Sequence, residues 1–340
     1  MQYVFWPHRV YFEPEALNYP LGKELYGMFQ RSKVNLHYTT THNRVTGISG
    51  NSPTEKFDQA KKTLVIGVRR TLSFQSCKPS AHYQLPLVTG CPGRCHYCYL
   101  HTSLGRTPYL RVYVNIAEIL EAAREYLKKM SPEIVYFEGS AVSDPLFAEP
   151  FTQAISSAVK FFAGEERGRF RLVSKLAAVE PFLGLNHRGH THFRVSINHP
   201  EIIRRYEKGT SSLKKRITSL KKIMEAKYPA GIMIAPIFLE GDWKKDYQAL
   251  FELLSEEMPA KTPLTFELIT HRFTRRARSN ILKYFPHTEL SMKEEQRRFK
   301  YGQFGYGKFV YPKEEWEEAR SYFTSLVQNY FPDGKIEYFV

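Results

Sequence analysis

Tyr83-Gln84-Leu85-Pro86-Leu87-Val88-Thr89-Gly90-Cys91-Pro92-Gly93-Arg94-Cys95-His96-Tyr97-Cys98 is the stretch on which the fold turns. Its first part, 83–88, is a short apolar run that reads as a buried strand leading into a loop. Three cysteines follow at the spacing C-x3-C-x2-C. Thiolates so spaced can wrap one face of an iron–sulfur cube and leave a single iron without a protein ligand, an open position for a bound molecule. Zinc is the competing reading, with Cys77 or His96 as fourth ligand. Structural zinc sites, however, use two paired knuckles, and the second is missing here. Cys77 is the only other cysteine, so a secreted disulfide scaffold does not fit.

Downstream of the cysteines, short apolar or β-branched runs alternate with longer segments of helical period, the pattern of βα units on a parallel sheet. With 83–88 as the first, the strands are read at 134–138, 170–174, 192–197, 232–237 and 264–269, and helices between them at 117–129, 150–162, 212–226 and 243–257. Ile119, Ala122, Ala123, Tyr126 and Leu127 make one apolar helix face, with Lys128 and Lys129 at its C-terminal dipole end. Six such units form a barrel open on one side, and sites in such folds lie at the C-terminal ends of the strands. The cysteine loop follows the first strand and so falls at that end. The expected fold class is therefore α/β, a partial (βα)6 TIM-type barrel over residues 81–270. An N-terminal α/β extension over 1–80 precedes it, and a basic C-terminal region with a β-hairpin and helices follows over 271–340.

Composition narrows the function. The chain has 340 residues, 42% hydrophobic and 14% aromatic, enough for a substantial core, and a formal charge of +15. That balance excludes disorder and favours a polyanionic partner. The longest apolar stretch, near Ala230–Phe238, is too short to span a bilayer and the N-terminus lacks a signal-peptide pattern, so a cytoplasmic protein with no membrane partner is expected. Basic residues concentrate at 204–222 and 272–300. Lys214, Lys215, Arg216, Lys221 and Lys222 of the first run read as a solvated helix face, whereas the second run suits phosphate contacts. Lys300-Tyr301-Gly302-Gln303-Phe304-Gly305-Tyr306-Gly307-Lys308 alternates aromatics with glycines and reads as a hairpin with an exposed tip.

Around the cysteines, Cys77-Lys78-Pro79-Ser80-Ala81-His82-Tyr83, Thr89-Gly90-Cys91 and Cys98-Tyr99-Leu100 resemble the spore photoproduct lyase family of radical S-adenosylmethionine enzymes. The likeness extends from Val10-Tyr11-Phe12-Glu13-Pro14 to Lys335-Ile336-Glu337-Tyr338-Phe339. The resemblance implies a [4Fe–4S] cluster on Cys91, Cys95 and Cys98, whose open iron chelates S-adenosylmethionine and whose reduced form cleaves it to a 5′-deoxyadenosyl radical. It implies cofactor contacts from Tyr97, Gly139, Ser140, Ser143 and Lys175, while Ser196, Asn198 and Ala235 stand at strand ends suited to ribose, methionyl and adenine groups. It implies an activity as well: reversal of 5-thyminyl-5,6-dihydrothymine, the spore photoproduct, to two thymines in UV-damaged double-stranded DNA. A monomer served by a flavodoxin- or ferredoxin-type electron donor is expected. DNA contacts fall on Ser143, Asp144, Arg272, Lys300, Gln303 and Phe304, with Gln303-Phe304 where the family often has Arg-Tyr.

One departure bears on the chemistry. Where the family usually reads Ser-Cys-Thr-Ser-Asp, this chain reads Ser140-Ala141-Val142-Ser143-Asp144. The cysteine there donates a hydrogen atom to the product thymine radical. Alanine is no substitute, because its C–H bond is far stronger than a thiol S–H bond. By elimination Cys77 becomes the candidate donor, with Tyr97 or Tyr99 as relay to deoxyadenosine; the alternative is Cys77 as a small buried hydrophobe. The rival functions are another radical S-adenosylmethionine reaction on nucleic acid, or a damage-binding protein whose cluster is structural.

Overall fold

A computed structural model describes residues 4–40, 45–104, 108–259, 261–302, 305 and 307–340 of the chain. It contains two compact units, one of residues 1–93 with 103–192 and one of residues 94–102 with 193–340.

In the first unit the strand Thr63–Gly67 is buried at every residue and pairs in parallel with Arg9–Phe12 on one side and Leu110–Tyr113 on the other. Its unbroken apolar run Leu64-Val65-Ile66 is what a strand covered on both faces needs. Asn35–Tyr38 extends this sheet in parallel beyond Arg9–Phe12, and Val88–Thr89 closes the other edge antiparallel to Leu110–Tyr113. Two of its five strands thus come from beyond residue 80.

The unit's second layer has the order Ser76–Cys77, Ala81–Leu85, Val135–Gly139, Gly168–Ser174, antiparallel in the first pair and parallel in the next two. The first βα strand is displaced from the expected 83–88. It ends at Leu85 because Pro86 has no amide to donate to a ladder, and Val88–Thr89 pairs in the other sheet. The helix Ile116–Lys129 buries Ile119, Ala123 and Leu127 as its period requires, and Tyr126 stacks on Phe74 at 4.8 Å. The helix expected over 150–162 is instead two, Glu149–Thr152 and Ala154–Ala163, with Gln153 at φ +49° between them. The break has a cause: the buried Glu149 carboxylate accepts the backbone N–H groups of Ile155 and Ser156, 2.8 and 3.1 Å, and caps the second helix.

In the second unit the strand Thr191–Ser196, which enters it at Phe193, is followed in the layer by Ala230–Ile237, Thr265–Thr270 and Lys335–Phe339, each pair parallel. The last strand lies outside the expected six. Leu213–Glu225 and Trp243–Glu257 form where their period predicts. The long helix Lys313–Tyr330 packs through Phe323 against Tyr247 and Phe251. Charges also enter this core: Arg194 donates to both carboxylate oxygens of Glu267, 2.7 and 2.8 Å, with neither side chain exposed, and the Tyr338 hydroxyl donates to Glu267 at 2.9 Å. A buried pair persists only where its remaining hydrogen-bonding capacity is met in this way.

Candidate active site

Cys91 lies in the first unit, and Cys95 and Cys98 lie in the second. In the first, the residue before Cys91 is Gly90, held at φ +79°, where an added Cβ would fall 1.9 Å from the Tyr109 carbonyl oxygen. Only glycine fits that turn. Its N–H donates to the Val142 carbonyl at 3.0 Å and its own carbonyl accepts the Ser143 hydroxyl, so the loop after the second βα strand braces the start of the cysteine loop. Lys61, a buried lysine, donates to the Cys91 carbonyl at 2.7 Å, and the Gly93 N–H donates to the Cys91 sulfur at 3.2 Å.

The residues expected to hold cofactor on this side do structural work. Ser140 donates to the Leu85 carbonyl at 3.0 Å and accepts from the Val88 N–H at 3.1 Å. A Cβ on Gly139 would sit 2.5 Å from the Phe170 ring. Asp144, expected at the DNA, accepts the Ser174 hydroxyl and the Lys175 N–H, each at 2.8 Å, and the Leu146 N–H at 3.3 Å. Burial pushes its carboxyl up against the lowering pull of those hydrogen bonds. Asp144 thereby fixes the backbone of Lys175, whose own side chain is half-buried at the end of the third strand. Cys77 is half-buried and faces Ala81 across an antiparallel pair, and Ala141 is half-buried.

In the second unit Arg94–Cys95 pairs antiparallel with Glu207–Lys208, with Cys95 opposite Glu207. The Glu207 side chain, 2% exposed as a residue, accepts the Tyr97 hydroxyl and, at 2.5 Å, the Arg216 guanidinium. Arg216 is fully buried and also donates to the carbonyls of Ser196 at 3.0 Å and Ser211 at 2.8 Å, and to the Thr210 hydroxyl at 2.8 Å. One arginine thus ties the strand end at Ser196 to the carboxylate that fixes Tyr97. The reading of Arg216 as part of a solvated face is corrected: Leu213, Arg216, Ile217, Leu220 and Ile223 share the helix face turned inward, a pattern visible in the i, i+3, i+4, i+7 spacing. Glu207, Arg216 and Lys61 are the residues the sequence reading missed.

Burial, with Glu207 beside it, raises the Tyr97 phenol well above its ordinary range, whereas Tyr99 is 56% exposed as a residue. His96 stacks on Phe285 at 4.1 Å, and burial pushes its imidazole down to about 4. Asn198 spends its side chain internally, donating to the Pro236 carbonyl at 2.7 Å and accepting from the His199 N–H at 2.9 Å and the Tyr247 hydroxyl at 3.2 Å. Ala235 lies in the strand Ala230–Ile237 one residue before Pro236.

The basic C-terminal run sorts into two groups. Arg275 pairs with Glu294 at 2.9 Å, Arg278 donates to the Met292 carbonyl at 3.0 Å, and Arg297 pairs with Glu240 at 2.7 Å while lying 3.4 Å over the Tyr311 ring. Arg272, Arg298, Lys300 and Lys308 have no ion-pair partner among the described residues. The hairpin forms as expected from the strands Arg298–Tyr301 and Gly307–Val310, and its tip residues Gln303 and Phe304 lie outside the described residues.

None of the four cysteines is in a disulfide. Three soft thiols in one short loop, one of them accepting a backbone N–H, are a donor set suited to an iron–sulfur cluster, in which such hydrogen bonds to sulfur tune the potential. The family model described as spore photoproduct lyase matches residues 5–340. Curated spore photoproduct lyases of Clostridium acetobutylicum and Bacillus subtilis are each 44% identical, over 98% of both chains in the first case and 100% in the second. Solved structures of spore photoproduct lyase match with a TM-score of 0.96 and 43% identity over 99% of both chains. One is complexed with dinucleoside spore photoproduct; another, with AdoMet and the same dinucleoside bound, carries a cysteine-to-alanine and a serine-to-cysteine replacement. The fold class is accordingly the α/β partial barrel.

Proposed function

The chain belongs to the spore photoproduct lyase family, and from that premise we propose how its own residues carry out the reaction. It is an enzyme, a DNA repair lyase that reverses the spore photoproduct to two thymines. The observation that carries the reading is the full-length match to structures that hold dinucleoside spore photoproduct, in a chain that keeps C-x3-C-x2-C after its first βα strand.

Cys91, Cys95 and Cys98 would hold a [4Fe–4S] cluster. With S-adenosylmethionine bound, that group supplies an electron and a 5′-deoxyadenosyl radical able to abstract hydrogen from the lesion. The chain's part is to hold and to protect. Lys61 and the Gly93 N–H fix Cys91, and the Glu207–Arg216 pair fixes the strand carrying Cys95 and orients Tyr97. Lys175, on a backbone anchored by Asp144, offers a compact cation for the S-adenosylmethionine carboxylate. Gly139, Ser140, Ser143, Ser196, Asn198 and Ala235 shape the backbone around the cofactor, and the side chains of Ser140, Ser143 and Asn198 are already engaged within the fold. Residues 81–270 thus serve the cofactor, while Arg272 and Lys300, with Gln303 and Phe304 at the hairpin tip, serve duplex DNA. A small flavodoxin or ferredoxin is the electron donor this chemistry asks of a cytoplasmic monomer.

Cys77 takes the place of the donor missing at Ala141. Its S–H gives a hydrogen atom to the thymine radical left when the methylene bridge breaks, and the sulfur regains one through Tyr97 or Tyr99 from 5′-deoxyadenosine. Support comes from the structure with the doubly replaced chain: its alanine and cysteine lie the same number of residues apart as Ala141 and Cys77 do here. The test is anaerobic reconstitution with iron and sulfide, then S-adenosylmethionine, dithionite and synthetic spore-photoproduct dinucleotide. Recovery of thymines is expected. Deoxyadenosine without thymines would indicate a different nucleic-acid substrate, and neither product a binding protein.

A further inference from the structure

The hairpin has two chemically different faces. Side chains alternate along a strand, so Phe299, Tyr301 and Phe309 share one face and Arg298, Lys300, Lys308 and Val310 the other, with Lys300 directly opposite Lys308. Phe299 and Tyr301 are largely exposed. Like charges directly opposite each other across a strand pair destabilise it, so the cationic face costs the hairpin stability unless an anion meets it.

That face lines a cavity of about 330 Å³, whose lining also includes Arg272, Trp316 and Phe339. The two aromatic rings pack edge to face at 5.4 Å. The acidic side chain on the cavity, Glu317, pairs with Lys313 at 3.6 Å. Arg272, Arg298, Lys300 and Lys308 have no carboxylate partner among the described residues, and burial together with Arg272 and Lys300 pulls the Lys308 ammonium below the ordinary lysine range. The neighbouring Arg275 and Arg297 are both in ion pairs, unlike these four.

We propose that the cavity behind the hairpin binds a phosphodiester of the DNA strand flanking the lesion, held by Arg272, Arg298, Lys300 and Lys308 with the adjoining sugar or base against Trp316 and Phe339. The proposal rests on the reading of the chain as a DNA repair enzyme. Four cations suit one or two phosphates, and a paired aromatic wall suits the flat or apolar part of a nucleotide beside them. The cavity thereby separates two substrates: a lesion in duplex reaches it, while the isolated spore-photoproduct dinucleotide has no flanking strand to offer.

The experiment compares the full-length protein with Lys308→Gln and Arg298→Gln. Each is titrated with a fluorescent undamaged duplex over a range of salt, and each is assayed on lesion-bearing duplex and on the dinucleotide. Each variant is expected to weaken duplex binding several-fold and to reduce the steepness of the log Kd against log salt line by about 0.9 for each phosphate contact removed. Its kcat/KM for duplex should fall about tenfold relative to that for the dinucleotide, a loss of the size expected for one charged contact. Trp316 fluorescence should respond to duplex and not to the dinucleotide. Unchanged salt dependence with equal effects on the two substrates overturns the proposal. If no thymine forms from either substrate, the repair reading fails, and the binding titration still decides the cavity.

Discussion

Glu207 is the residue whose removal reaches furthest. It opposes Cys95 in a strand pair, accepts the Tyr97 hydroxyl and neutralises a fully buried Arg216. Glu207→Ala leaves that guanidinium without a counter-charge in the core, and the expected loss of stability is about 3–5 kcal/mol. Tyr97→Phe removes one hydrogen bond and is expected to cost about 1 kcal/mol. Urea unfolding of both variants checks the pair; equal small losses would mean the network holds nothing. At this scale the sequence was legible where chemistry demands an unusual residue type, as in the cysteines and Ala141. It was opaque for Glu207, which becomes a partner of Tyr97 only once a chain reversal brings two separated segments into register. Arg216 stood between these cases, since its period placed it on an apolar face while its run of basic neighbours suggested solvent.

The cysteine loop is an element braced from outside itself, and Gly90 is where bracing and backbone conformation meet. Gly90→Ala places a Cβ at a positive φ and against the Tyr109 carbonyl. Strain of this kind costs on the order of 1–3 kcal/mol, and relief requires the loop to shift. The expected result is a lower melting temperature together with reduced iron retention after reconstitution. Wild-type values for both would show that the loop does not need this turn. The βα strands and helices were readable from period because each spans several residues of one pattern. The breaks in that pattern came from single groups: Pro86, which lacks an amide, ended the first strand, and the Glu149 carboxylate capped a new helix after Gln153. The added strand Lys335–Phe339 joins Thr265–Thr270 through a long-range parallel pairing, which local periodicity does not report.

In the proposed reading, the partial barrel brings cofactor chemistry to strand ends, and the positively charged C-terminal region supplies the surface for a polyanion. No helix among the described residues is long and apolar enough to cross a membrane. The formal charge of +15 predicted a polyanionic partner, but the sorting of arginines into ion pairs and unpaired cations needed the folded chain, because charge alone does not tell a structural arginine from one held ready for phosphate. The central claim is that this chain repairs the spore photoproduct with its hydrogen donor at Cys77 in place of position 141. The measurement that tests it most directly is thymine yield from spore-photoproduct dinucleotide for the wild type, Cys77→Ala, and Cys77→Ala combined with Ala141→Cys. The account predicts that the single variant still makes deoxyadenosine but loses most of its thymine yield to trapped radical adducts, and that the added cysteine restores it. Unchanged thymine yield from Cys77→Ala, with no adduct, would contradict it.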